Sequence, residues 1–140
     1  MTVLLIAEDD EDIRSVLERI FRRAGFSVLI ATDGSHALRI AVEEQPDLIL
    51  TDLDMPGLSG LELCRAVRAA PAISEVPIAL ISGSLLPDDP RAAEVQACGV
   101  ILKPFSTRGL VAAVQHLVTG GRHRHHGTPS PCPLVAAGTP

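Results

Sequence analysis

The sequence has no tryptophan and no tyrosine, and its only aromatics are three phenylalanines, Phe21, Phe26 and Phe105. A core without aromatic bulk must be filled by Leu, Ile, Val and Ala, and these are plentiful: 46% of the 140 residues are apolar. A single domain of that length buries a core without covalent staples. Basic excess is missing too, since the formal net charge is −5 and no basic stripe runs along the chain. A phosphate backbone binds cationic surface that releases its counterions, so direct nucleic-acid binding is not expected. Cysteine is sparse: Cys64, Cys98 and Cys132 are odd in number, far apart, and in no CxxC or Cys/His spacing. Neither a disulfide framework nor a zinc site is indicated, and the pattern reads as two core thiols and one tail thiol in a reducing compartment. Long hydrophobic runs are also absent. The run 3–7 (VLLIA) is too short for a signal peptide and lacks a basic flank, and nothing reaches membrane-spanning length. A soluble, cytoplasmic chain without membrane association is expected.

What is present is a regular alternation. The runs 3–7 (VLLIA), 27–31 (SVLIA), 48–51 (LILT), 76–81 (VPIALI) and 100–102 (VIL) are short and apolar, as strands buried on both faces require. Between the first two, Ile13, Val16, Leu17, Ile20 and Phe21 recur with helical spacing, and Gly25 is placed to stop that helix. A second helix, capped by Asp33 or Ser35, carries Ala37, Leu38, Ala41 and Val42 and ends at Pro46. A third carries Leu61, Cys64 and Val67 after a loop over 52–60. The stretch 83–90 holds Pro87 and Pro90 and reads as loop, with a short helix near 91–97. Ser106 caps a last helix through Leu110, Val111, Val114, Leu117 and Val118. Strands alternating with helices predict an α/β domain: a doubly wound, five-stranded parallel sheet with helices on both faces and right-handed crossovers. Five units suit the flavodoxin-like order 2-1-3-4-5. Residues 119–140 have no period and are rich in Gly, Pro and His, and read as a disordered tail after a domain over 1–118.

The polar residues sit where strands end. The first strand ends in Glu8, Asp9 and Asp10, the third in Asp52, the fourth in Ser82 and the fifth in Lys103. In a parallel sheet these endings share one carboxyl edge, where ligands bind at the reversal of strand order. That crevice lies between the first and third strands and brings Glu8, Asp9 and Asp52 together. Two carboxylates about 5 Å apart repel by roughly 3 kcal/mol at an effective dielectric of about 20. Either one holds a proton or a positive group lies between them. Lys103 supplies one charge, and a divalent cation with hard oxygen ligands, Mg2+, supplies two. Such a crevice suits phosphoryl transfer, with Ser82 as a hydrogen-bond donor and a carboxylate as acceptor.

The segments 4–14 (LLIAEDDEDIR), 47–60 (DLILTDLDMPGLSG), 76–84 (VPIALISGS) and 102–105 (LKPF) resemble the signature segments of response-regulator receiver domains, in the same order and spacing. The resemblance implies that Asp52 is the phosphoacceptor and a metal ligand. It implies that Asp9 binds Mg2+ directly, Glu8 through a water, and Asp54 through its backbone carbonyl. Ser82 then contacts the phosphoryl group, Lys103 pairs with carboxylate or phosphate, and the bond before Pro104 is cis. The implied function is two-component phosphorelay signalling. A sensor histidine kinase or phosphotransfer protein is the donor, a separate downstream protein is the output, and the chain is a monomer or weak dimer. It is a phosphoacceptor with self-catalysed transfer and slow loss of phosphate, not a turnover enzyme. The chain departs from the receiver pattern in Val100, where an aromatic is usual, in Gln96, where Gly is common, and in a slightly short 83–99 segment. Signalling is therefore expected to depend on the 83–90 loop and not on an aromatic switch.

Blander readings stand beside these. Asp10, Glu11 and Asp12 are ordinary helix-start acids. The side chain of Asp54 is either a loop acid or a modulator of hydrolysis. His36 and His116 read as surface residues, and His123, His125 and His126 as an unstructured tail cluster in preference to a metal-binding one. Two other functions fit parts of the pattern: a pseudo-receiver interaction module, and a haloacid-dehalogenase-like phosphatase using Asp52 as nucleophile and Asp54 as general acid. A flavin-binding module lacks a Ser/Thr/Gly-rich phosphate loop after the first strand.

Overall fold

The computed structural model describes residues 2–83, 90–94 and 97–121. The apolar runs form β1 (Val3–Ala7), β2 (Ser27–Ala31), β3 (Leu48–Asp52), β4 (Ile78–Ser82) and β5 (Gly99–Leu102). The helices are α1 (Glu11–Arg23), α2 (Gly34–Glu44), α3 (Gly60–Ala69), α4 (Pro90–Glu94) and α5 (Thr107–Gly120). The strands pair in parallel in the order β2-β1-β3-β4-β5, as expected from the sequence.

Side-chain alternation along each strand divides the core into two layers. Leu4, Ile6, Leu48, Leu50 and Ile81 face Leu17 and Phe21 of α1 and Leu110, Val114 and Leu117 of α5. Leu5, Ile49, Ile78 and Leu80 face Ala37 and Ala41 of α2 and Leu63, Cys64 and Val67 of α3. The buried residues that α2 presents to the sheet include the small side chains Ala37 and Ala41. Val100 is buried in the same layer, on the edge strand β5 beside Leu80 of β4. Cys64 and Cys98 are buried and not joined in a disulfide, as expected of core thiols. Burial pushes the Cys64 thiol up to about 12, against a smaller opposing pull from Arg68.

Helix starts follow local chemistry. Asp10, Asp33 and Ser106 accept from the backbone amides of Ile13, His36 and Gly109. This decides the α2 cap in favour of Asp33 over Ser35. A capping box opens α3, in which Ser59 accepts from the Glu62 amide while the Glu62 carboxylate accepts from the Ser59 amide. The Ser59 amide is the main reason the Glu62 carboxyl lies below its ordinary range.

Boundaries moved where backbone donors decide. β4 begins at Ile78 and not at residue 76, because Pro77 has no N–H to give the ladder; its carbonyl accepts from Ile49 at 3.0 Å. β4 then includes Ser82, whose carbonyl accepts from the Lys103 amide at 2.9 Å. β3 includes Asp52, which pairs with Ile81, and β5 starts one residue early, at Gly99. α4 starts at Pro90, a favourable first-turn position for proline, and Ala97 lies outside it. α5 runs to Gly120, two residues beyond Val118. The Lys103–Pro104 bond is cis, as the resemblance implied. Most of the 83–90 loop (84–89), and the tail from 122 with its histidines and Cys132, lie outside the described residues.

Two glycines fix the loop between β3 and α3. A Cβ on Gly60 would collide with the Asp52 carbonyl oxygen and lie 3.0 Å from the Leu53 Cα, and these are backbone atoms. Likewise, a Cβ on Gly34, the first residue of α2, would collide with the Leu58 carbonyl. Gly60→Ala is expected to destabilise the fold by about 1–3 kcal/mol through overpacking. That exceeds the helix-propensity gain of under about 1 kcal/mol. Urea unfolding checks it, and an unchanged or higher midpoint would show that the backbone yields freely here.

Candidate functional site

β1, β3, β4 and β5 deliver their last residues to one edge. Glu8 follows β1 and stays on the ladder, its amide donating to the Ala31 carbonyl at 3.1 Å. Asp52 ends β3, one register step beyond the Ala7–Thr51 pair. Ser82 ends β4 beside it, with Ile81 as the register partner of Asp52. Lys103 follows β5, held by its amide on the Ser82 carbonyl.

One carboxylate oxygen from each of Glu8, Asp9 and Asp52 lies within 4.8 Å of the others. The Lys103 ammonium donates to Asp52 Oδ1 at 3.1 Å and lies 4.0 Å from Glu8 Oε1. Glu8 is 1% exposed, Ser82 3% and Asp52 9%, while Asp9 is open to solvent. Glu8 Oε2 accepts from the Asp10 amide at 3.3 Å, but Glu8 Oε1 is buried and accepts no hydrogen bond among the described residues. A buried carboxylate oxygen without a donor is costly, and the nearest cation to it is the Lys103 ammonium at 4.0 Å.

Burial, and then the negative charge of Asp52, push the Glu8 carboxyl up to about 7; the Asp10 amide and Lys103 oppose this, and a hydrogen bond shared with Asp9 adds to it. The upward direction at Glu8 is the one expected of clustered carboxylates, with burial adding the larger part.

The structure brings together Glu8, Asp9, Asp52 and Lys103, and sets Ser82 at the same edge. Asp54 lies two residues past β3 with an exposed side chain. Asp10 is the α1 cap, and His116 is exposed while His36 is half-buried at the start of α2. Sequence reasoning passed over Gly60 and Arg14. No periodicity or spacing marks a close backbone approach or a guanidinium folded back onto carbonyls.

The fold and edge define a class: a doubly wound parallel domain with an acidic, lysine-bearing pocket at its switch point. The family model for the response regulator receiver domain matches residues 4–115. The transcriptional regulatory protein PrrA of Mycobacterium tuberculosis is 40% identical over 116 residues, which is 82% of this chain and 49% of that protein. The Mycobacterium leprae PrrA gives the same figures. The chain therefore spans about half the length of the curated relatives it matches. Among solved structures, the chemotaxis response regulator CheY4 of Vibrio cholerae superposes with a TM-score of 0.79 at 30% identity, covering 84% of this chain and 98% of that one. The receiver domain of sensor histidine kinase PA1611 from Pseudomonas aeruginosa, solved with a magnesium ion coordinated in its active-site cleft, has a TM-score of 0.78 at 28% identity, covering 84% and 98%. The chain belongs to the response regulator receiver domain family, a signalling domain of two-component systems. No described helix is long and apolar enough to cross a membrane.

Proposed function

We propose that Asp52 accepts a phosphoryl group, in a Mg2+-dependent reaction, from a phosphohistidine on a sensor histidine kinase or phosphotransfer protein. The phosphorylated domain then changes its affinity for a downstream partner. The observation that carries this reading is the 3.1 Å contact of Lys103 with Asp52 beside the trio of carboxylates.

The donor set fits the cation. Mg2+ takes hard oxygen donors, carboxylates and carbonyls among them. Glu8, Asp9 and Asp52 would offer such oxygens within 4.8 Å of one another, and the buried Glu8 Oε1 has no hydrogen-bond donor among the described residues. Asp9, Asp52 and the Asp54 backbone carbonyl are assigned as direct ligands and Glu8 as a ligand through water. When bound there, Mg2+ neutralises oxygens of the transferring phosphoryl group.

This chain's residues do the rest. A carboxylate oxygen of Asp52 attacks phosphorus as the N–P bond of the donor breaks. The electron pair of that bond stays on the imidazole nitrogen, and an acyl phosphate forms on Asp52. Lys103 pairs with a phosphoryl oxygen as negative charge gathers there, and the Ser82 hydroxyl donates to another. Hydrolysis of the acyl phosphate is slow, so the domain holds a signal and does not turn over a substrate. Signalling of this kind belongs in the cytoplasm. The output element, in the same chain or another, is the reader of the switch.

The test is intact mass after incubation with Mg2+ and acetyl phosphate. A single, base-labile phosphoryl adduct is expected. No adduct on folded, Mg2+-loaded protein would leave a pure interaction module, and many turnovers of donor would favour a phosphatase.

Glu8 adds a pH dependence. Its folded pKa, about 7, lies above the ordinary 4.5, so the folded chain keeps a proton that the unfolded chain has lost. The stabilisation is complete below the unfolded value and disappears as pH rises through the folded one. In EDTA, melting temperature is expected to fall between about pH 5 and pH 7, and Glu8→Gln to flatten that slope. Mg2+ must displace the same proton, so its affinity rises by up to about tenfold per pH unit over that range and then levels. A melting temperature that climbs or stays flat across that range in EDTA would contradict this.

A further inference from the structure

We propose that Arg14 is a positioning residue that fixes the direction in which Asp9 presents its carboxylate. The proposal rests on the reading that the acidic trio holds Mg2+.

Glu8 is held by its own surroundings: it is buried, on the β1 ladder, and bonded by the Asp10 amide. Asp9 has little of this. It is exposed, and it lies in the short turn between β1 and the Asp10 cap of α1. Its carboxylate must nonetheless stand within 4.8 Å of those of Glu8 and Asp52.

The Arg14 guanidinium folds back over the first turn of α1. Its Nη1 donates to the Glu8 carbonyl at 3.1 Å and to the Asp9 carbonyl at 3.4 Å. A peptide unit is planar, so fixing a carbonyl fixes the whole unit. The two carbonyls belong to the two peptide planes that flank the Asp9 Cα. Holding both sets φ and ψ of Asp9, and with them the direction of its Cα–Cβ bond. The α1 backbone secures the lever, since the Arg14 amide donates to the Asp10 carbonyl at 2.9 Å. Groups behind metal ligands typically change metal affinity by about 10–100-fold when removed.

Charge alone predicts the opposite. A guanidinium on the Glu8 and Asp9 carbonyls adds positive charge to the same turn, so deleting it would, if anything, tighten Mg2+ binding were charge its only effect. The sign therefore separates the two roles.

The experiment measures Mg2+ affinity by isothermal calorimetry, at fixed pH and ionic strength, for wild type, Arg14→Met and Arg14→Gln. Arg14→Met keeps an aliphatic stem without donors and is expected to weaken Mg2+ at least about tenfold, with the Mg2+-free melting temperature nearly unchanged. Arg14→Gln keeps one amide donor and is expected to lose less. It also decides the matter if Arg14→Met does not fold, since either neutral variant should bind more weakly than wild type. Equal or tighter binding by the variants, with wild type binding Mg2+, overturns the positioning role and leaves the phosphoacceptor reading intact. A folded wild type that binds no Mg2+ overturns both.

Discussion

Asp52→Asn is expected to abolish the phosphoryl adduct completely while leaving the domain folded. The amide matches the carboxylate in shape, so the β3 register with Ile81 is kept. Its oxygen carries no full negative charge and its nitrogen donates, so it is no nucleophile toward phosphorus. Two side effects follow from the same charge. The Asp52 charge is the second-largest cause of the rise at Glu8, so the Glu8 carboxyl should move back toward its ordinary range. Lys103 loses its carboxylate partner at 3.1 Å. Because one of three clustered negative charges disappears, the Mg2+-free variant should melt no lower than wild type at neutral pH. Intact mass after acetyl phosphate treatment reads the first effect, and thermal melting in EDTA the last. An adduct of wild-type yield on the variant would place the acceptor elsewhere.

Lys103→Met is expected to slow phosphorylation of Asp52 by about 10²–10³-fold, the usual loss when one positioned donor is withdrawn from developing charge. The same substitution should leave Mg2+ affinity unchanged or higher, because a cation has been removed from beside Glu8 and Asp52, 4.0 Å and 3.1 Å away. These opposite directions are informative. A variant that lost the rate only through unfolding or poor metal loading would lose both. Adduct formation timed at saturating Mg2+, with affinity measured separately, separates them. A wild-type rate at saturating metal would remove Lys103 from the reaction.

Most of the sheet was readable because buried parallel strands are apolar throughout, and runs such as 3–7 and 48–51 cannot be solvated loops. The site was readable for a related reason. Acids, a hydroxyl and a lysine directly after such runs must emerge at one edge, which places Glu8, Asp52, Ser82 and Lys103 without knowledge of loops. Strand ends were less legible, since pairing depends on which amides find carbonyls: Pro77 moved the start of β4, and Asp52 itself became a sheet residue. The Ser59–Glu62 capping box was visible in the sequence as S-x-x-E and passed unnoticed. Gly60 against Asp52, and Arg14 against the Glu8 and Asp9 carbonyls, had no such signature. Both are backbone approaches that exist only once elements have packed. Val100 is the converse case. Its departure from the aromatic was plain in the sequence, and the structure adds that the small aliphatic side chain is buried in the same core layer as Leu80 and Ile78.

Lys103 is the only lysine in the chain. Reductive methylation with carbon-13 formaldehyde therefore installs a single side-chain reporter, distinct from the α-amine, and does so at the nitrogen that touches Asp52. Dimethylation preserves the positive charge. One resonance would thus register proton, metal or phosphate arriving at the carboxylate, in a protein that offers no tryptophan or tyrosine to a fluorimeter.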